Sequence, residues 1–277
     1  MIGQNSLLTI IDEQIFMDNF PRFSIIIGQE GSGKKTLAHK ISELLKCQMV
    51  FIEPKVDAVR EMIHNALTVK TPTMYVILDG NMSYTAKEAL LKICEETPEN
   101  AYICLLTSDN SSIPGTLYSR AGRYYMQPYT ESEILEYAQI GKEEVLNSDI
   151  VVDLCETPGD VDKLYSAGVE KFYEFVEKVV DNIANVSPAN ALKIATNIDV
   201  KGDNPDKYDM KLFLRAFKSV CGKEMKKCVA ENDTEGQMWY STGIKVVTNT
   251  LNQMNVTGIN KGALLDIFIL TIRREWA

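Results

Sequence analysis

Only two histidines, His39 and His64, occur in 277 residues, and none of the six cysteines (Cys47, Cys94, Cys104, Cys155, Cys221 and Cys228) lies in a C-x-x-C pair. No structural zinc is expected, because tetrahedral sites draw on clustered cysteine and histidine ligands. The cysteines read as small core residues or incidental thiols of a reducing compartment. Long apolar runs are also missing. The most apolar late stretch, residues 263–272, carries Asp266 and is too short to cross a hydrocarbon layer of about 30 Å as a helix. The amino terminus, MIGQNSLLTIIDEQIF, meets acids before any long apolar run, unlike a secretory signal. A cytoplasmic protein with no membrane partner is expected. Nor is there a basic excess: 29 lysines and arginines face 38 aspartates and glutamates, a formal charge of −9, which argues against gripping nucleic acid over the whole surface.

What is present is an ordinary globular balance, 45% hydrophobic and 24% charged, enough for two or three packed units. The charge is uneven. Residues 1–169 hold 14 basic and 24 acidic side chains, against 15 and 14 in residues 170–277, so the two parts face different surroundings. The first part alternates short apolar runs (23–27, 49–52, 74–78, 102–106 and 123–126) with helical patterns near 34–45, 56–67 and 85–96. That order predicts parallel strands with crossover helices. After Pro128 the strand signal fades. Thr130 and Glu133 form a capping-box pattern, and helical patterns follow at about 142–147, 161–165, 169–184, 188–198, 208–229, 240–254 and 263–275. The expected division is 1–128 as an α/β domain, 129–184 as a small helical lid and 185–277 as an all-helical domain.

The strongest chemical signal follows the first strand: Gly28-Gln-Glu-Gly-Ser-Gly-Lys-Lys-Thr36. In a G-x-x-x-x-G-K loop, the glycines turn successive backbone N–H groups onto phosphate, the lysine reaches the outer phosphates and the helix amino terminus adds its dipole. Gly28, Gly31, Ser32, Gly33, Lys34, Lys35 and Thr36 are therefore the candidate nucleotide-binding residues. The alternative is a glycine turn that only joins strand to helix. The loop departs from the usual pattern at Lys35, which stands where a serine or threonine would ligate magnesium; the hydroxyl comes one residue late, at Thr36. The strand at 74–78 ends in Asp79-Gly80. Asp79 and Thr36 are the candidate metal ligands, and Gly80 has no side chain to polarise water.

Several motifs in order, GQEGSGKKTLA at 28–38, VILDG at 76–80 and AKEALLKICEETPENAYICLLTSDNSSIPGTLYSR at 86–120, resemble the clamp-loader branch of the AAA+ proteins. The resemblance covers about residues 1–165. It implies an α/β P-loop NTPase (AAA+) domain with a parallel sheet, a helical lid and a collar-like carboxy-terminal domain that assembles with other clamp-loader AAA+ subunits. It also implies ATP and magnesium as ligands, and a sliding clamp and primed DNA as partners of the assembled complex. Carried over by position, Lys34 is the phosphate lysine, Asp79 the metal-side aspartate, and Thr107 or Ser108 the first sensor. Arg120 is an arginine that enters a neighbouring subunit's nucleotide site. Ala121 replaces the family's cysteine. Gly159-Asp-Val-Asp162-Lys163 offers an aspartate where the second-sensor arginine is usual. With Lys35 and Gly80, this predicts weak or absent intrinsic hydrolysis. The competing expectations are a self-contained P-loop ATPase with an atypical magnesium site, and a DNA-binding adaptor with a relic loop. Glu95, Glu96 and Glu99 read as a solvated helix end, Arg123-Tyr124-Tyr125 as strand, and Lys223, Lys226, Lys227 and Lys245 as solvated surface.

Overall fold

The computed structural model describes residues 1–78, 82–140, 147–200, 204, 206–254, 256 and 258–277. Contacts divide them into two units. One contains Met1–Glu133 with Thr157–Gly159, the other Ile134–Glu156 with Asp160–Ala277. The expected lid and collar thus fall largely in the second unit.

The first unit runs α1 (Asn5–Phe16), β1 (Phe23–Ile27), α2 (Lys34–Leu44), β2 (Gln48–Ile52), α3 (Val56–Thr68), β3 (Thr73–Leu78), α4 (Tyr84–Glu95), β4 (Ala101–Thr107), α5 (Gly115–Tyr118) and β5 (Gly122–Tyr125). The strands form one parallel sheet in the order β2-β3-β4-β1-β5. The inner strands are mostly apolar because both faces are covered, with Ser24 the polar residue inside β1 and Thr73 and Thr107 at the ends of β3 and β4. Side chains alternate between faces along each strand. Ile25, Ile77, Ile103 and Leu105 pack on one side with Val59 and Met62 of α3, Leu90 of α4 and Leu117 of α5. Ile26, Val76, Cys104 and Leu106 pack on the other with Leu37 and Ile41 of α2. Helix α1, unread in the sequence, joins this second face through Leu7 and Ile11, one helical turn apart. Edge strand β2 leaves Val50 and Phe51 exposed.

The second unit is mainly helical: α6 (Glu131–Gln139, which begins in the first unit), α7 (Ser148–Leu154), α8 (Pro158–Ala167), α9 (Val169–Asn182), α10 (Pro188–Leu192), α11 (Met210–Ala230), α12 (Thr234–Met254) and α13 (Lys261–Trp276). The capping box opens α6 as read: the Thr130 N–H donates to Glu133 Oε2 at 2.8 Å, and the Glu133 N–H to Thr130 Oγ1 at 3.3 Å. The helix expected at 142–147 lies outside the described residues except for Asn147, whose side chain caps α7 by accepting from the Asp149 N–H at 2.9 Å. Pro158 starts α8 rather than breaking a helix, since the first turn has no use for its missing N–H. The helix expected at 188–198 is α10 followed by a 3-10 segment, Lys193–Asn197, and a two-residue parallel bridge, β6 (Ile198–Asp199) with β7 (Tyr208–Asp209), follows it. Phe172, Phe213, Phe217 and Phe268 are fully buried, and the Trp276 indole N–H donates to the Trp239 carbonyl at 2.9 Å. Among the described residues, no helix is long and apolar enough to cross a membrane.

Candidate functional site

The glycine-rich loop leaves the carboxyl end of β1, where open parallel sheets place their ligands. Gly31 (φ 77°) and Gly33 (φ 87°) are in the left-handed region, a backbone that glycine adopts at no steric cost. The Ser32 N–H donates to the Gln29 carbonyl at 3.2 Å within the loop, and the first N–H groups of α2 have no intrahelical partner, as at helix ends that receive phosphate. The Gly28 N–H donates to the Thr107 carbonyl at 3.1 Å, so β4 ends against the loop.

The loop's carbonyls are taken by the protein itself. Lys34 Nζ donates to the carbonyls of Gly28 and Gln29, both at 2.6 Å. The Tyr129 hydroxyl donates to the Ser32 carbonyl at 2.8 Å, and the Gly159 N–H to the Gly31 carbonyl at 3.0 Å. Burial lowers the Lys34 ammonium to about 8, against the opposing charge of Glu30. A Cβ on Gly159 would stand 2.5 Å from Gly31 Cα, so two glycines are needed where these backbones meet. Ser32 Oγ is buried without a hydrogen-bond partner and lies under Gly28.

The remaining loop candidates lie nearer the surface, with Thr36 Oγ1 4.0 Å from where a Cβ on Gly33 would stand. Lys35 is exposed with its ammonium 6.0 Å from the Phe51 ring centroid, and Thr36 is exposed. Thr107 is buried, its hydroxyl donating to the Asp109 carbonyl at 2.8 Å, while Ser108 is exposed. Asp79 and Gly80 lie outside the described residues. Two left-handed glycines ahead of a helix amino terminus fit a phosphate group, and of the two metal ligands inferred from sequence only Thr36 is among the described residues.

Arg120 sits at the opposite edge of the sheet. It precedes β5, whose Gly122 is in register with Ser24 near the start of β1. Four residues of strand, about 13 Å at about 3.3 Å each, separate Ser24 from Gly28. Its side chain turns to the end of α4: Nη2 meets Glu95 Oε1 at 2.6 Å and Nη1 donates to the Thr116 carbonyl at 2.8 Å. The Arg120 side chain is 38% exposed.

Residues 55–130 match the family described as DNA polymerase III, delta subunit. That stretch contains Glu95 and Arg120 and begins beyond the glycine-rich loop. The chain is 24% identical over 169 residues to the DNA polymerase III subunit gamma of Buchnera aphidicola subsp. Acyrthosiphon pisum, covering 50% of this chain and 47% of the relative. It is 25% identical over 189 residues to the subunit gamma/tau of Mycoplasma pneumoniae, covering 56% and 28%. The match therefore spans about half or less of these relatives. In fold it is similar to a DNA polymerase III gamma subunit-related protein of Thermotoga maritima, with TM-score 0.52, 17% identity and coverage of 98% and 99%. It is also similar to the Thermotoga maritima RuvB Holliday junction branch migration motor, with TM-score 0.51, 16% identity and coverage of 78% and 88%. The chain has the AAA+ fold and resembles the clamp-loader family.

Asp162 and Lys163, read from the sequence as the second-sensor region, bond within the second unit. Asp162 accepts from the Tyr137 hydroxyl at 3.0 Å, and Lys163 pairs with Asp209 at 2.9 Å. Neighbouring Asp160 pairs with nearly buried Arg215 at 2.9 Å. Ala121 packs partly against the core face that holds Leu117. Tyr124 keeps the strand role read for it, buried and stacked on Phe20 with ring centroids 5.6 Å apart. Glu95 is not merely a solvated helix end, since it holds Arg120. Tyr129 and the Thr157–Gly159 segment were missed in the sequence. The Gly31–Gly159 approach spans a long stretch of chain and leaves no local pattern.

Proposed function

We propose that this chain is a clamp-loader subunit of the delta-prime kind, acting in the cytoplasm, that hydrolyses ATP weakly or not at all and donates Arg120 to the ATP site of an adjacent motor subunit. The observation that carries this reading is the placement of Arg120. It stands at the amino edge of the sheet with about 13 Å of strand between that edge and the chain's own loop, farther than one side chain spans, so a phosphate it serves belongs to another molecule. A guanidinium suits that task because its planar fork matches phosphoryl oxygens and stays charged. The chain's own loop supports the same division, since Lys34 is bonded to loop carbonyls.

The assembled complex would open a sliding clamp and place it on primed DNA, with this chain as a stator docked through its carboxy-terminal helices. Any nucleotide at the chain's own loop would meet the backbone cradle of Gly31 and Gly33 and the ammonium of Lys34. Bound ATP would supply the phosphoryl group, and this chain's part there would be to hold it.

The test is turnover by the purified chain, by its motor partners, and by the two together. The chain alone should show no sustained hydrolysis yet raise that of the partners. Arg120→Ala should abolish the increase, with a loss of roughly 10³-fold at the site it completes. Metal-dependent multiple turnover by the chain alone would instead establish a self-contained ATPase.

A further inference from the structure

We propose that Glu95 is the positioning residue for Arg120, fixing the guanidinium in the pose it presents to the neighbouring phosphate; this rests on the reading of Arg120 as an arginine donor. The two residues lie 25 positions apart yet are anchored to one core face. Glu95 is the last residue of α4, directly after buried Ile93 and Cys94. Arg120 follows Leu117, which is fully buried, and its N–H donates to the Leu117 carbonyl at 3.1 Å. Ala121, on its other side, packs partly against the same cluster.

With both backbones held, the side chain is fixed at two nitrogens. Glu95 takes Nη2 and the Thr116 carbonyl takes Nη1. A guanidinium carries five N–H groups, so Nε and the second hydrogens of both terminal nitrogens remain for an incoming anion. An unheld arginine loses rotamer freedom when it binds. Glu95 moves that ordering into the free chain, which preorganises the donor. The pair is half-exposed, with side-chain exposures of 38% and 48%, so its effect is at the modest end of ion-pair strength. A charge partner at this distance could instead compete with phosphate, and the two roles predict opposite rate changes.

The experiment measures ATP turnover by the assembled complex carrying Arg120→Ala, Glu95→Ala, Glu95→Gln or the double alanine variant. Glu95→Ala should lower the rate at the completed site about two- to fivefold, through kcat rather than KM. Glu95→Gln, which keeps an oxygen acceptor, should restore most of the loss. The double variant should match Arg120→Ala alone, because Glu95 acts through Arg120. If Arg120→Ala slows the complex while Glu95→Ala leaves it unchanged or faster, the positioning role is overturned and the arginine reading stands. A double variant slower than Arg120→Ala overturns it too, since Glu95 would then act elsewhere. If Arg120→Ala itself changes nothing, the underlying reading fails first.

Discussion

The two edges of the parallel sheet carry the same kind of chemistry and hold it in opposite ways. At the carboxyl edge, Lys34 is drawn inward onto the carbonyls of Gly28 and Gln29, and the carbonyls of Ser32 and Gly31 are met by Tyr129 and Gly159. At the amino edge, Arg120 is braced by Glu95 and the Thr116 carbonyl yet remains partly exposed. A cation that satisfies its own loop must give up those bonds before it serves a ligand. One that is braced from behind need not. The first edge ties its cation into its own loop, and the second leaves its cation 38% exposed.

Paired glycine substitutions break the comparison most strongly. Gly159→Ala places a Cβ 2.5 Å from Gly31 Cα, a backbone clash that should cost about 1–3 kcal/mol in denaturant unfolding. Gly115→Ala at the amino edge, where an added Cβ meets nothing within 4 Å, should be neutral or stabilising by up to about 1 kcal/mol. Equal losses at both positions would remove the claim that Gly159 is needed for the close approach of its backbone to Gly31.

Lys34 gives a pH signature that Arg120 lacks. With its ammonium lowered to about 8, any ATP affinity of the isolated chain should fall by up to about tenfold per pH unit above that value. Lys34→Met should flatten this profile, as read by titration calorimetry between pH 7 and 9.5. Stability should move the other way. Between about 8 and 10.5 the unfolded chain holds a proton that the folded chain has lost, so unfolding free energy rises with pH in that window. Below it, the buried charge is a standing cost.

The smallest effect belongs to Ser32. Its hydroxyl is buried without a partner, so Ser32→Ala should change stability by no more than about 0.5 kcal/mol, or raise it slightly, because an unsatisfied group is removed. A loss several times larger, measured by thermal unfolding, would mean that the hydroxyl is bonded within the folded loop.

Much of the fold was legible because its signals are local. The apolar runs beginning at Phe23, Met74 and Tyr102 became buried parallel strands, Gly31 and Gly33 took the left-handed backbone the loop motif requires, and Thr130 with Glu133 capped α6. The resemblance supplied Arg120. What escaped the sequence depends on contacts between distant segments. Glu95 carries no mark that distinguishes it from Glu96, and only the packing of α4 beside α5 aims it at Arg120. Tyr129 and Gly159 reach the loop across about a hundred residues or more. Helix α1 was obscured because its buried pair, Leu7 and Ile11, adjoins the more exposed Leu8 and Ile10, so the apolar run Leu-Leu-Thr-Ile-Ile hides the helical period.

The most direct test places both edges in one assay: ATP turnover by the reconstituted complex with Lys34→Ala or Arg120→Ala in this chain. Arg120→Ala should remove the turnover of the site it completes, while Lys34→Ala leaves the complex near the unmodified rate. A fall with Lys34→Ala and an unchanged rate with Arg120→Ala would contradict the account, since the chain would then work through its own loop.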